Sequence, residues 1–137
     1  MKRIDAIVRP EKLHELKERL VAIGVEGITV IDVRGFGRQK GRTKVYRGSE
    51  YSVEFVPSLL LMIITPDDRA AGILDAIIET GRTGKLGDGK IFVSPLEEVV
   101  RIRTGERSLS ALSPTQTTAP AGTTLAPRSI WERPARV

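Results

Sequence analysis

A glycine-rich segment at residues 83–91 (TGKLGDGKI) carries the clearest chemical signal in the sequence. From Gly84 to Lys90 it fits the spacing GxxxxGK of a phosphate-binding P-loop. Ile91 stands where that loop needs Ser or Thr for Mg²⁺, and a strand is predicted next, whereas a P-loop continues into a helix. A P-loop is therefore excluded. The glycines still predict a turn whose backbone N–H groups form an anion nest beside Lys90, although an ordinary turn leading into a strand fits equally.

Basic residues elsewhere in the chain could converge on the same anion. Arg101 and Arg103 are separated by one residue in a predicted strand, so both guanidinium groups would point to one face. Guanidinium groups donate paired hydrogen bonds to phosphate oxygens. Residues 34–47 contain further basic side chains and no acid, namely Arg34, Arg38, Lys40, Arg42, Lys44 and Arg47. The pattern indicates either an anion site or a set of solvated surface charges.

The segment from Tyr46 to Tyr51 has hydroxyl groups in a polar region without periodicity. Ser49 and Tyr51 can be modified, and a new negative charge among basic residues would change what this loop binds. A plain surface loop fits the same residues.

Signals for catalysis are weak. The sole histidine, His14, lies near Lys12 and Lys17 on a predicted helix, and there is no cysteine. The sequence has no nucleophile elbow, zinc-ligand spacing or paired-carboxylate pattern. We therefore expect a binding protein and not an enzyme.

Composition limits the architecture. The 137 residues suffice for one domain, whose core must be aliphatic because aromatic residues make up only 4%. No apolar run reaches the roughly 18–20 residues of a membrane span, and the N-terminus lacks a signal-peptide pattern. We therefore expect a cytoplasmic protein without membrane insertion. After Arg107 the composition shifts to Pro, Thr and Ala, which predicts a domain at 1–107 and a flexible tail at 108–137.

Hydrophobic periodicity predicts five strands and two helices. The strands cover residues 4–8, 28–33, 55–65, 91–93 and 99–103, and the helices cover 11–23 and 66–81. This order predicts an α+β fold, a ferredoxin-like βαββαβ sandwich with a long loop between strands 2 and 3 and an extra C-terminal strand. Both helices would cover one sheet face. The apolar residues of the other face then favour an oligomer.

Four segments resemble the PII family of signal-transduction proteins. Residues 46–51 (YRGSEY) resemble the PII loop signature, and residues 83–93 resemble the second PII signature. Residues 34–41 and 102–106 are also similar to PII segments, and the resemblance covers residues 1–107 without gaps.

This resemblance implies a homotrimer that binds ATP or ADP in clefts between neighbouring subunits. On one side of each cleft the nucleotide would contact Gly35, Arg38, Gly87, Asp88, Gly89 and Lys90. The adjacent subunit would contribute Thr29, Arg101 and Arg103. With ATP bound, Gln39 would help to hold Mg²⁺ and a small-molecule effector, near Arg9, Lys40 and Gly41.

The resemblance also implies a mechanism of signalling. Residues 37–54 would form a mobile loop that docks on a target transporter or metabolic enzyme. Ser49 and Tyr51 fall where relatives are phosphorylated or nucleotidylated. The expected function is nucleotide-sensing regulation of nitrogen or carbon metabolism.

One departure concerns the effector. Ser58 stands where PII proteins usually have a lysine that pairs with a carboxylate of 2-oxoglutarate, and Leu60 replaces a second basic residue. Losing a charge-assisted hydrogen bond costs about 1.5–3 kcal/mol, or roughly ten- to a hundredfold in affinity. We therefore expect nucleotide binding to persist and 2-oxoglutarate to bind weakly or not at all. A sensor of the ADP/ATP ratio or of bicarbonate, and a slow ATP hydrolase, remain alternatives. Two tyrosines offer too little aromatic surface for nucleic-acid binding.

Overall fold

Alternation of apolar and polar residues builds the central sheet. In β1 (Lys2–Val8) every second side chain, Ile4, Ala6 and Val8, is buried. Successive side chains of a strand point to opposite faces, so one face of β1 belongs to the core and the other does not. The computed structural model describes residues 1–37, 43–46, 49–52 and 55–113.

Strand β5 (Val56–Thr65) pairs antiparallel with β1 and repeats its alternation. β2 (Thr29–Gly35) adds on the far side of β5, and β6 (Lys90–Pro95) adds on the far side of β1. The resulting sheet has the order β2-β5-β1-β6 with every pair antiparallel. This topology, with a helix after β1 and after β5, confirms the predicted ferredoxin-like fold.

Both long helices cover the same face of the sheet. A short 3₁₀ turn at Pro10–Lys12 leads into α1 (Leu13–Ala22), which buries Leu16 and Leu20 one turn apart. Helix α2 (Asp67–Gly81) begins with two acids, which favour the positive end of the helix dipole. The core joins the helices to the sheet through Ile4, Ala6, Val8, Leu16, Leu20, Val25, Leu59, Leu61, Ile63, Ala70, Ile73, Ala76 and Ile77.

Neither α1 nor α2 covers the opposite face of the sheet. The strand register places Ile7, Ile31 and Leu60 side by side on this face. Met62 and Ile64 follow Leu60 along β5 and are partly buried. Phe92 on β6 also belongs to this face and is 54% exposed. We call this surface the open sheet face.

The long loop contains secondary structure that the sequence analysis missed. Strands β3 (Thr43–Tyr46) and β4 (Ser49–Ser52) pair antiparallel as a separate two-stranded sheet. The prediction of a loop without regular structure at 37–54 was therefore wrong for these residues.

Among the described residues, those at 97–113 belong to a second unit, distinct from Met1–Leu96. The strand predicted at 99–103 was wrong, because only an isolated bridge between Val100 and Arg107 forms. Residues 102–104 make a turn, closed by hydrogen bonds from Gly105 N to Arg101 O and from Arg101 N to Glu106 O, both 2.8 Å. A short helix, α3 (Leu109–Leu112), follows. Within the described ranges, no helix has the length and apolar character needed to span a membrane.

Candidate functional site

The glycine-rich segment between α2 and β6 forms a turn whose backbone requires glycine. Gly84, Gly87 and Gly89 have φ angles of 83°, 100° and 92°, in the left-handed region that side-chain-bearing residues avoid. Gly89 also lies directly against β1, since a Cβ added there would be 1.7 Å from the Ile7 carbonyl oxygen. We call residues 82–89 the glycine turn.

The carboxylate of Asp88 organises the glycine turn from within. One of its oxygens accepts hydrogen bonds from the backbone N–H groups of Thr83 and Gly84, both at 2.9 Å. The other accepts the Thr83 hydroxyl at 2.5 Å. The same hydroxyl accepts the N–H of Lys85 at 3.2 Å. Two successive N–H groups at this end of the turn therefore already bind a carboxylate of the protein itself.

Arg9 ties this turn to the end of β1. Its Nε donates to Asp88 at 2.9 Å, and its Nη2 donates to the Leu86 carbonyl at 2.7 Å. Both charged side chains are about one quarter exposed. Because Arg9 neutralises Asp88, the cations Arg82, Lys85 and Lys90 dominate the local potential.

These contacts fix the protonation state of Asp88. Chiefly the Thr83 hydroxyl, and then Arg9, hold the pKa of the Asp88 carboxyl well below its ordinary value, against the smaller effect of desolvation. Asp88 therefore stays ionised at physiological pH. It cannot take up a proton as a general base there, and its role is to hold the turn.

A cavity of about 390 Å³ adjoins the glycine turn. It combines an apolar wall from β1 and α2 with polar groups from the turn and the start of β6. The residues around it are Ile7, Val8, Ile77, Ile78, Gly81, Arg82, Asp88, Gly89, Lys90 and Ile91. Concave apolar surface with a few convergent polar groups is typical of a small-molecule site.

The structure brings together only part of the predicted nucleotide site. Asp88, Gly89 and Lys90 border the cavity, and Gly87 lies in the turn beside them. Thr29 and Gly35 lie at opposite ends of β2, an edge strand of the sheet. Arg38, Gln39, Lys40 and Gly41, predicted for nucleotide, magnesium and effector, lie outside the described residues.

The predicted modification sites lie in the two-stranded sheet. Ser49 and Tyr51 both belong to β4, where Ser49 pairs with Tyr46 and Tyr51 pairs with Lys44.

Arg101 and Arg103 belong to the second unit and are not presented by a strand. Arg101 is largely covered and donates through Nη1 to Glu106 at 3.4 Å. Its Nη2 donates to the carbonyl oxygens of Ala111, at 2.9 Å, and of Ser113. Arg103 lies in the turn at residues 102–104. The premise that strand geometry aligns these two arginines was therefore wrong.

Sequence reasoning missed the structural network behind the turn. Thr83 and the tie between Arg9 and Asp88 were not predicted, because 79 positions separate that pair. The antiparallel pairing of Ile7 with Lys90 brings them together, and only a correct alignment of β1 with β6 could have revealed it. Among the described residues, no group of three or more His, Cys, Asp or Glu side chains could hold a metal ion.

Comparison with known proteins identifies the family. The family described as Nitrogen regulatory protein P-II matches residues 1–106 of this chain. A protein named Nitrogen regulatory protein P-II from Microchaete diplosiphon is 55% identical over 112 residues, which are 82% of this chain and 100% of that protein. Nitrogen regulatory protein P-II from Rhizobium meliloti and Nitrogen regulatory protein P-II 1 from Escherichia coli are each 52% identical over the same shares. These matches confirm the resemblance drawn from the signature segments: the chain belongs to the nitrogen regulatory protein P-II family.

Proposed function

We propose that this P-II protein is a nucleotide-responsive regulator that binds ATP or ADP at the glycine turn and transmits occupancy through the loop at 37–54. The observation that carries the proposal is the preformed turn itself. Three glycines in left-handed conformations are held by the network of Asp88, Thr83 and Arg9, beside a cavity suited to a small molecule. A turn that is already shaped loses little entropy when it binds an anion.

The phosphate end of the ligand is assigned to Gly87–Lys90. The amides of Thr83 and Gly84 already serve the Asp88 carboxylate, so the proposal assigns the phosphates to the later part of the turn and to the Lys90 ammonium. In the proposal Arg38, Arg101 and Arg103 add charge, with the last two supplied by a neighbouring subunit. Lys90 follows Gly89 directly and begins β6, so its backbone position is fixed by pairing with Ile7.

The base end of the ligand is assigned to the cavity. Its wall of Ile77, Ile78 and Ile91 offers apolar surface for a flat heterocycle. In the proposal Mg²⁺ bridges the phosphates, with Gln39 close to it. The ion would add charge to a turn that already has an excess of cations.

Calorimetric titration with Mg-ATP and with ADP tests this proposal. We expect both nucleotides to bind, and Lys90→Ala to weaken binding by about tenfold or more, because a charge-assisted hydrogen bond is lost. Lys85→Ala is the matched control, since Lys85 is an exposed cation of the same turn that does not border the cavity. We expect that control to change affinity far less. Failure of both nucleotides to bind at millimolar concentration would reject the proposal.

A homotrimer is the proposed assembly, supported by the open sheet face. Ile7, Ile31, Leu60 and Phe92 form an apolar surface that a neighbouring subunit would remove from water. Sedimentation of the wild type should give a trimer, and Leu60→Glu should dissociate it. Val21→Glu replaces an exposed residue of α1 and should leave assembly intact. A monomeric wild type would refute this part of the proposal.

The proposal includes a weak or absent response to 2-oxoglutarate. Ser58 pairs with Val33 across β5 and β2 and belongs to the open sheet face. Titration in the presence of Mg-ATP should give weak or no binding of 2-oxoglutarate, and the same titration with bicarbonate tests the alternative effector. Ser58→Lys should raise 2-oxoglutarate affinity by about tenfold or more if the missing ammonium is the cause. Ser58→Gln, which is long but uncharged, is the control.

The rate of phosphate release distinguishes a regulator from a slow ATP hydrolase. The turn would bind phosphate in either case, so binding alone does not distinguish them. In the proposal the wild type releases phosphate no faster than Lys90→Ala. Steady release above that control would favour the hydrolase.

A further inference from the structure

The segment Ser108–Ser113, called here the C-terminal latch, holds the guanidinium of Arg101 by two backbone carbonyls. Nη2 of Arg101 donates to Ala111 O at 2.9 Å and to Ser113 O. Nη1 donates to Glu106 at 3.4 Å. Nη2 carries two hydrogens, so both of them are used by the latch.

This arrangement excludes paired recognition of a phosphate. A guanidinium offers an oxyanion two parallel N–H bonds either from Nη1 with Nη2 or from Nε with Nη2. Each of these pairs needs a hydrogen on Nη2. A phosphate can therefore receive a two-point contact from Arg101 only after at least one latch carbonyl has moved away.

The latch is also held in a strained backbone conformation. Ser108 has φ 58° and ψ −138°, and it is the only described residue other than glycine with a positive φ. Side-chain-bearing residues rarely adopt this conformation, and structures keep it only where surrounding contacts enforce it. Here those contacts are hydrogen bonds from Ser108 N to Val99 O at 2.9 Å and from Ala111 N to Ser108 O at 3.0 Å.

From these observations we infer that the latch is an autoinhibitory element that competes with nucleotide phosphate for Arg101. The inference rests on the proposed function, in which Arg101 contacts the phosphates. Nucleotide binding displaces the carbonyls of Ala111 and Ser113 and relaxes Ser108. The apparent nucleotide affinity is lowered by the fraction of molecules whose latch is closed. The latch thus sets the concentration at which the sensor responds.

Two substitutions at Ser108 shift the equilibrium between the closed and the open latch in opposite directions and leave Arg101 unchanged. Ser108→Gly removes the strain of the closed state and should weaken ATP and ADP binding by about three- to tenfold. Ser108→Val disfavours the closed state, because a β-branched residue tolerates positive φ poorly, and should strengthen binding by a similar factor. Ser110→Gly is the control. It places the same residue inside α3, where glycine loosens the helix, and should leave affinity unchanged or raise it by up to about twofold.

Calorimetry of these full-length variants is combined with hydrogen exchange at the Ala111 amide. We expect saturating ATP to accelerate that exchange in the wild type. The latch would be refuted if both Ser108 variants bound nucleotide with equal affinity, or if nucleotide bound without faster exchange at Ala111. Neither result would refute the proposed function. If neither the wild type nor Ser108→Val binds nucleotide, the proposed function fails, and the latch fails with it.

Discussion

Replacing Gly89 with alanine should destabilise the fold far more than the same change at Gly84. Both glycines have a positive φ, 92° and 83°, so alanine is strained at either position by about 1–2 kcal/mol. Part of that strain is offset, because alanine lowers the entropy of the unfolded chain by about 0.4–1 kcal/mol. Gly84→Ala should therefore cost about 1 kcal/mol.

Gly89 carries a second cost that Gly84 lacks. A Cβ at residue 89 would be 1.7 Å from Ile7 O and 2.7 Å from Ile7 C, whereas nothing lies within 4 Å of a Cβ at residue 84. Those atoms are backbone of a central strand and cannot rotate away. Forcing extra atoms into a packed site typically costs about 1–3 kcal/mol. Gly89→Ala should therefore lower the free energy of unfolding by about 3 kcal/mol.

Urea denaturation of the two variants at one protein concentration measures the difference. Unfolding slopes of about 2 kcal/mol/M convert a difference of about 2 kcal/mol into a midpoint shift of about 1 M. The concentration must be matched, because the proposed subunit association would add to apparent stability. Equal midpoints for the two variants would refute the claim that the turn presses against β1.

Three further predictions concern the core, the turn and a helix end. Leu61→Ala should lower the free energy of unfolding by about 2–5 kcal/mol, because Leu61 is fully buried in β5, and thermal denaturation would reveal an unexpectedly small loss. Folding lowers the pKa of Asp88. Its carboxylate therefore stabilises the fold fully at pH values above its unfolded pKa of about 3.9. This stabilisation is lost as the pH falls through the lower pKa of the folded state. The free energies of unfolding of Asp88→Asn and wild type should therefore differ at pH 7 and converge in strong acid. A difference that does not change with pH would contradict this. Arg69 donates to the carbonyls of Ile23 and Gly24 at 2.7 and 3.4 Å, so Arg69→Ala should cost about 1 kcal/mol in urea denaturation, whereas no loss would mean that solvent replaces both bonds.

The main sheet was predictable because the alternation of residue types in its strands shows which side chains face the core. Ile4, Ala6 and Val8 alternate with polar or partly buried residues, and burial follows that alternation. The helix at 66–81 was predictable for a similar reason, since Ile73 and Ile77 recur one turn apart.

Alternation alone misled the prediction at residues 99–103. Val100 and Ile102 look like one face of a strand, but a strand also needs a partner along its length. Only Val100 has one, and the chain turns at residues 102–104, leaving Ile102 95% exposed. Conversely, β3 (TKVY) and β4 (SEYS) were missed because each is short and has mainly polar residues without apolar alternation, although Thr, Val and Tyr favour strands.

The candidate site was half predictable. Glycines at 84, 87 and 89 indicated a turn that binds anions, because only glycine tolerates such backbone angles. Nothing local in the sequence indicated that Asp88 would fill part of the nest or that Arg9 would reach it. That information lies in the register of β1 against β6, which depends on long-range pairing.

The placement of β1 has a consequence for biogenesis. β1 leaves the ribosome well before β5 and β6, the two strands between which it lies. Its apolar residues therefore stay without their partners during most of translation, and folding must await the emergence of residues near 95. Such distant pairings slow folding, so β1 is exposed to chaperones and to aggregation until β5 and β6 have emerged.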